Sequence, residues 1–276
     1  IESVVMKYKY GYTICVSSQV GCKMGCTFCA STVAGFIRNL TASEILSQIH
    51  TAQRDMGIRI SHVVLMGVGE PLDNFDNVMR FLRLVTDERG LNLSMRNISL
   101  STCGLVERIY DLAGEDLPIT LSISLHAPND AERSAIMPVN RKYGVEKLLR
   151  ACHDYFAATG RRISFEYTLI AGVNDTPEKA EELAAVLRRY MGGMPLHVNL
   201  IPVNPVEERS FVRSSASRVA AFQEKLQSHG INATVRRKLG SDIDASCGQL
   251  RHQAKKEQEN KSETEAERTV DGQGER

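Results

Sequence analysis

Gly21-Cys22-Lys23-Met24-Gly25-Cys26-Thr27-Phe28-Cys29 places three cysteines within eight residues. This CxxxCxxC triad offers three thiolates from one short loop, an unusual number for a closed metal site. A structural zinc takes four ligands and a cubane iron-sulfur cluster has four irons to hold, so either a fourth ligand lies elsewhere or one metal position stays open. An iron without a protein ligand is free to bind and reduce a small molecule. A zinc site is the competing reading, but it usually shows a second cysteine pair or histidines at ligand spacing. The first histidine after Cys29 is His50, in a stretch that reads as a helix.

The spacing resembles the cysteine loop of the radical S-adenosylmethionine (SAM) enzymes, and Phe28 matches the aromatic residue that packs near the adenine in such loops. The rest of the chain is compatible with an enzyme of that kind. A chain of 276 residues, 42% hydrophobic, is enough for one large core, and α/β barrels reach this length as a single domain. It contains neither a run of about 18 apolar residues nor a signal-peptide pattern, which predicts a soluble, cytoplasmic protein with no membrane partner. Seven cysteines form an odd set that does not read as a disulfide framework and suits a reducing compartment.

The net charge is +1, unevenly placed. Residues 254–276 carry seven acidic and five basic side chains and almost nothing apolar, leaving +3 on residues 1–253. The tail is expected to be disordered. A balance of +3 permits nucleic-acid binding without requiring it; Arg161-Arg162 and Arg236-Arg237-Lys238 are the local basic runs, each of which taken alone reads as a solvated face.

Short β-branched runs alternate with amphipathic stretches. The runs 12–17, 61–66, 97–101, 119–125, 162–169 and 196–201 are followed by helical patterns at 41–56, 74–89, 105–113, 145–159, 177–191 and 215–229. Apolar strands in this order predict a parallel sheet buried on both faces, in an open (βα)6 partial barrel of the TIM type. Thr41-Ala-Ser-Glu44 has the form of a capping box, Pro177 sits just inside a helix start, and Gly160 and Gly230 mark helix ends.

In such a barrel the chemistry belongs at the C-terminal ends of the strands. Those positions hold the cysteine loop, Met66-Gly-Val-Gly69-Glu70-Pro71, Ser101-Thr-Cys103-Gly, Ser124-Leu125-His126-Ala-Pro and Ile201-Pro-Val-Asn204-Pro205. Glycines let a backbone approach a ligand closely, Glu70 suits an ammonium, and Ser, His and Asn supply hydrogen bonds. Singly, the Gly67-Val-Gly-Glu segment is only a tight turn and His126 only a core histidine with a bonded ring nitrogen. Their recurrence on one rim points to a site for a polar zwitterion beside the cluster.

Cys15-Val-Ser-Ser-Gln-Val-Gly-Cys22, Gly67-Val-Gly-Glu-Pro-Leu, Ser124-Leu-His-Ala-Pro-Asn129 and Gly240-Ser-Asp-Ile-Asp-Ala-Ser-Cys247-Gly-Gln-Leu resemble the RlmN/Cfr family, radical SAM methyltransferases that modify adenosine in RNA. The resemblance runs over residues 1–252 and implies a radical SAM catalytic domain over 1–253. It also implies one [4Fe-4S] cluster on Cys22, Cys26 and Cys29, and two SAM molecules per turnover. SAM contacts carry over to Gly69, Glu70, Ser101, Ser124, Leu125, His126 and Asn204. Cys247 matches the methyl-carrying cysteine, Cys15 the thiol that forms a transient disulfide with it, and Glu2 the acceptor of the proton from the modified carbon. Cys103 and Cys152 match no such role and read as packing residues.

The implied product is 2-methyladenosine in 23S rRNA near the peptidyl transferase centre and at position 37 of tRNAs. Carbon 2 of adenine carries no nucleophilic lone pair, so direct transfer from a sulfonium fails there and a carbon radical is needed. The resemblance further implies a monomer that draws electrons from a flavodoxin or ferredoxin system. The family's N-terminal helical domain has no counterpart here, which predicts weakened RNA modification. The alternatives are a Cfr-type enzyme acting at carbon 8, and, from another class, a noncatalytic iron-sulfur RNA-binding protein, which would have no use for the pair Cys15 and Cys247.

Overall fold

The computed structural model describes residues 1–33, 35–204 and 210–236. Cys247, Arg237, Lys238, Pro205 and the charged segment 254–276 lie outside the described residues.

The chain opens with an antiparallel hairpin of β1 (Val4–Tyr8) and β2 (Gly11–Cys15), followed by a small ribbon of β3 (Gln19–Gly21) and β4 (Phe36–Asn39) that brackets the cysteine loop. Then come α1 (Ala42–Met56), β5 (Ile60–Leu65), α2 (Phe75–Thr86), β6 (Ile98–Thr102), α3 (Val106–Gly114), β7 (Thr120–Ser124), α4 (Asp130–Ile136) and α5 (Val145–Thr159). The chain continues through β8 (Ile163–Leu169), α6 (Pro177–Met191), β9 (Leu196–Pro202), α7 (Ala216–Ser228) and β10 (Asn232–Val235). The main sheet has the order β1-β2-β5-β6-β7-β8-β9-β10, parallel throughout except for β1.

The six strand-helix units expected from the alternation are present, and β1 and β10 extend the sheet at its two edges. The expected helix signals also operate. Thr41 and Glu44 form a reciprocal capping box at α1, Thr176 caps α6 with Pro177 in its first turn, and Gly160 closes α5 in the left-handed conformation.

One expectation needs correction. The strands do not bury apolar side chains on both faces. Ile98 and Leu100, Leu121 and Ile123, Ile163, Phe165, Tyr167 and Leu169, and Val198 and Leu200 join one core with the inner faces of the helices. The residues between them, Ser99, Ser101, Ser122, Ser124, Ser164, Glu166, Thr168, His197 and Asn199, point the other way, into the barrel. Register keeps like with like, since Ser122 pairs with Ser164, Ser124 with Glu166, and Glu166 with Asn199. Hydrogen bonds satisfy this polar interior: Ser99 and Ser122 hydroxyls meet at 3.3 Å, Asn199 Nδ2 donates to Glu166 Oε2 at 2.6 Å, and His197 bridges Ser164 and Thr234 at 3.1 and 2.8 Å.

Candidate active site

A cavity of about 190 Å³ opens at the C-terminal ends of the strands, lined on one side by Cys22, Cys26 and Cys29. Gly69, Glu70, Ser101, Ser124, His126 and Asn204 share that lining, so six of the seven expected SAM-contact residues converge on the cysteines. Leu125 does not line it: the side chain is fully buried, and its backbone serves the wall, accepting from Arg133 Nε at 3.0 Å and donating to Glu166 O at 3.1 Å.

The cysteine loop is fixed by its main chain. Thr27 N donates to Ile136 O at 2.9 Å, and Thr32 Oγ1 donates to the carbonyls of Cys26 and Cys29 at 3.1 and 2.8 Å. Cys22 and Cys26 are buried and Cys29 half-buried. Burial pushes the Cys22 thiol up to about 12 and the Cys26 thiol higher still, with neighbouring sulfurs and Glu70 adding to the effect. Three thiolates side by side here therefore call for the positive charge of a metal. Among the described residues no three His, Cys, Asp or Glu side chains gather tightly enough to share a single ion. A cubane makes a different demand, because each of the three thiolates would bind a separate iron.

Glu70 is the anionic feature opposite. Its side chain is buried, with Oε1 accepting from Leu72 N at 3.0 Å and Oε2 from Cys103 N at 2.7 Å. Burial raises its pKa, and those donors offset the rise only in part. Among the described residues it forms no ion pair, so a carboxyl group is held in low dielectric whose charged form a cation would stabilise. An ammonium fits that vacancy of charge, and a zwitterion that also offers a carboxylate to an open iron fits the site as a whole.

The glycine loop before Glu70 allows the close approach. Gly69 has φ 105°, and a Cβ there would stand 2.6 Å from Gln19 Cβ; at Gly67 it would stand 2.7 Å from Val16 O. Gln19, itself buried, accepts from Glu70 N at 2.9 Å and donates to Asn39 and Asp73, each at 2.8 Å.

His126 satisfies both of its readings. It is a core histidine whose Nδ1 accepts from Thr168 N at 2.9 Å, and its backbone is left-handed at φ 60°, braced by Asn174 Nδ2 on its carbonyl. It also lines the cavity, with Phe28 edge-on at 4.9 Å.

Glu2 and Cys15 reach the same rim by register. Val4 pairs with Cys15, which sets Glu2 level with Ser17 just beyond the end of β2. Ser17 Oγ donates to Glu2 O at 2.6 Å and accepts from Val68 N at 3.0 Å, joining the chain's first residues to the glycine loop. Cys15 is buried and lies outside the cavity lining, as does Glu2. Cys247 lies outside the described residues. Arg236, following β10, lines the cavity, whereas Arg161-Arg162 precede β8 at the opposite end of the barrel.

Sequence reasoning missed three contributors. Glu166 and Thr168 line the cavity from mid-strand and the end of β8, where the apolar neighbours of an alternating strand masked them. Cys103 is in the turn after β6 as expected, yet it lines the cavity and its N–H holds Glu70. Cys152 is a buried packing residue on α5. No helix among the described residues is long and apolar enough to cross a membrane.

Comparison with known proteins agrees with this geometry. Residues 16–185 match the model of the radical SAM superfamily. The chain is 55% identical over 251 residues to a probable dual-specificity RNA methyltransferase RlmN of Desulforamulus reducens, covering 91% of this chain and 71% of that protein. The Clostridium tetani protein of the same name is 57% identical over the same length, at the same coverage. Among solved structures, a radical SAM methyltransferase from Sphaerobacter thermophilus superimposes with a TM-score of 0.86 at 47% identity, over 90% of this chain and 73% of that one.

Proposed function

Because the chain belongs to the RlmN family of radical SAM RNA methyltransferases, we propose that it methylates carbon 2 of adenosine in 23S rRNA and tRNA, with Cys247 as methyl carrier. The observation that carries this reading is the convergence of Cys22, Cys26 and Cys29 with Glu70, Ser101, Ser124, His126 and Asn204 on one cavity. Cys22, Cys26 and Cys29 would hold a [4Fe-4S] cluster, and Glu70 would take the SAM ammonium. Bound there, the pair would supply one-electron reductive cleavage of SAM to a 5′-deoxyadenosyl radical.

The chain's own residues do the rest. The thiolate of Cys247 would accept a methyl group from one SAM, displacing S-adenosylhomocysteine, and that methyl, once it has lost a hydrogen atom, would bond to carbon 2 of the adenine. The adduct would return one electron to the electron-transfer system and give the carbon 2 proton to Glu2. The Cys15 thiolate would then attack the sulfur of Cys247, breaking its bond to the transferred carbon, which takes up a proton to become the product methyl, and leaving a disulfide that takes up two electrons to reset. Gly67, Gly69 and Phe28 shape the wall for the adenosyl group, while His126 keeps a neutral N–H at Nε2 for hydrogen bonding. The adenosine enters by extrusion from its RNA stack, at a cost of a few kcal/mol, with Arg236 at the mouth as a phosphate contact. A cytoplasmic monomer supplied by a flavodoxin or ferredoxin system completes the reading.

The test is anaerobic reconstitution with iron and sulfide, incubation with SAM, reductant and an rRNA fragment, and mass spectrometry of nucleosides. The expected product is 2-methyladenosine, absent from Cys247→Ala. Finding 8-methyladenosine would assign the chain to carbon 8 chemistry, and a cluster without SAM cleavage would make it a binding protein.

A further inference from the structure

Behind the cavity wall lies a guanidinium whose hydrogen bonds, among the described residues, all go to neutral oxygens. Arg133, on α4, is 0% exposed. Its Nη2 donates to Cys103 O at 2.7 Å and Ser124 O at 3.0 Å, its Nε to Leu125 O at 3.0 Å, and its Nη1 to Asn140 Oδ1 at 2.9 Å. Asp130, the carboxylate whose charge reaches it, is bonded elsewhere, to Asn140 Nδ2 at 3.0 Å and Val145 N at 2.7 Å. A cation buried in this way costs several kcal/mol unless a compensating charge is near.

The surroundings say where that charge sits. The bonded carbonyls belong to the ends of β6 and β7, where Cys103 and Ser124 face the cavity. On the same helix Ile136 O accepts from Thr27 N in the cysteine loop, and Ile136 packs with Cys26 and Cys103. Burial lowers the pKa of Arg133, so an anion close behind this wall would be needed to hold its charge. Arg133 is thus the buried cation of the wall that would face a three-thiolate cubane, a group that is anionic when oxidised and more so when reduced.

We propose that Arg133 is a positioning residue that supplies the cluster's counter-charge: it favours the reduced cluster and, through the Ser124 and Leu125 carbonyls, holds the wall that receives SAM. This rests on the cluster assignment above and is independent of which RNA carbon is modified. A planar guanidinium suits both tasks, because it serves several carbonyls at fixed angles and stays charged when buried.

The test is an EPR-monitored redox titration of the reconstituted protein, wild type against Arg133→Met, Arg133→Lys and Arg133→Gln, with circular dichroism for folding and equilibrium binding of SAM. Arg133→Met should lower the reduction equilibrium constant about tenfold, a negative shift of about 59 mV for one electron. Arg133→Lys should keep the potential within about twofold of wild type in that constant while SAM binds more weakly. Should the methionine variant fail to fold, Arg133→Gln decides, since its amide can still donate to the wall carbonyls while carrying no charge; it should lower the constant about threefold or more. An unchanged potential in whichever neutralised variant folds overturns the proposal, as does a fall with lysine equal to that with methionine. Wild-type protein that assembles no cluster would remove the proposed function as well, whereas a cluster indifferent to these changes removes this inference alone.

Discussion

His126 Nδ1 accepts the backbone N–H of Thr168 at 2.9 Å, so the ring is neutral and carries its proton on Nε2. Burial, with the charge of Arg133 adding to it, holds the pKa at about 3 against an ordinary 6.5. Above 6.5 neither folded nor unfolded chain protonates this group and its contribution is constant. As pH falls from 6.5 towards 3, the unfolded chain binds a proton that the folded one refuses, and stability drops. Within that window this one group adds a slope of roughly 1.4 kcal/mol per pH unit. Urea melts at about pH 7 and about pH 5 should show the loss in wild type and a shallower one in His126→Gln; parallel losses would dismiss the assignment.

Glu70→Gln keeps the shape of the side chain and removes its charge. One of the two backbone donors now at Leu72 and Cys103 then meets an amide NH2, a cost of about 1–3 kcal/mol, partly offset by no longer burying a charge. The melting temperature should move little, while SAM affinity of the reconstituted protein falls about tenfold or more. Unchanged affinity in equilibrium binding would show that Glu70 only anchors the Cys103 turn.

Gly69→Ala combines a left-handed backbone with a Cβ 2.6 Å from Gln19 Cβ. The glycine loop and Gln19 must separate, breaking the bond from Glu70 N to Gln19 Oε1. A loss of about 1–3 kcal/mol is expected in chemical denaturation, together with weaker SAM binding. Gly57, also left-handed but with nothing within 4 Å of its would-be Cβ, is the control, and its alanine variant should bind SAM normally.

Iron content separates the cysteines. Serine at Cys22, Cys26 or Cys29 should abolish retention of iron after reconstitution, whereas serine at Cys103 or Cys152 should leave it intact. Cys152→Ser places a hydroxyl at a fully buried position and should cost about 1–3 kcal/mol. Loss of iron from Cys103→Ser would make Cys103 a fourth ligand and close the open metal position.

Much of this was legible in the chain. The six strand-helix units follow from periodicity because each helix shows one apolar stripe against β-branched strands, and capping signals at Thr41, Thr176 and Gly160 bound them. The cavity followed from a topological rule, that loops after parallel strands meet at one end. What the sequence hid was tertiary. β1 and β10 are short edge strands of five and four residues, and α4 is only seven residues long. Glu166 read as one of three polar positions, with Ser164 and Thr168, in an alternating strand, and only the pairing of Ser124 with Glu166 and Glu166 with Asn199 reveals a polar interior row. Arg133 gave no signal at all, since an arginine on an apparently ordinary loop reads as solvated.

The antiparallel course of β1 has a practical consequence. It lays Glu2 beside Ser17, whose hydroxyl also accepts from Val68 N in the glycine loop. One small side chain thus ties an edge strand to a ligand-facing turn, and a defect at Ser17 would weaken binding at the cavity without removing any group that lines it.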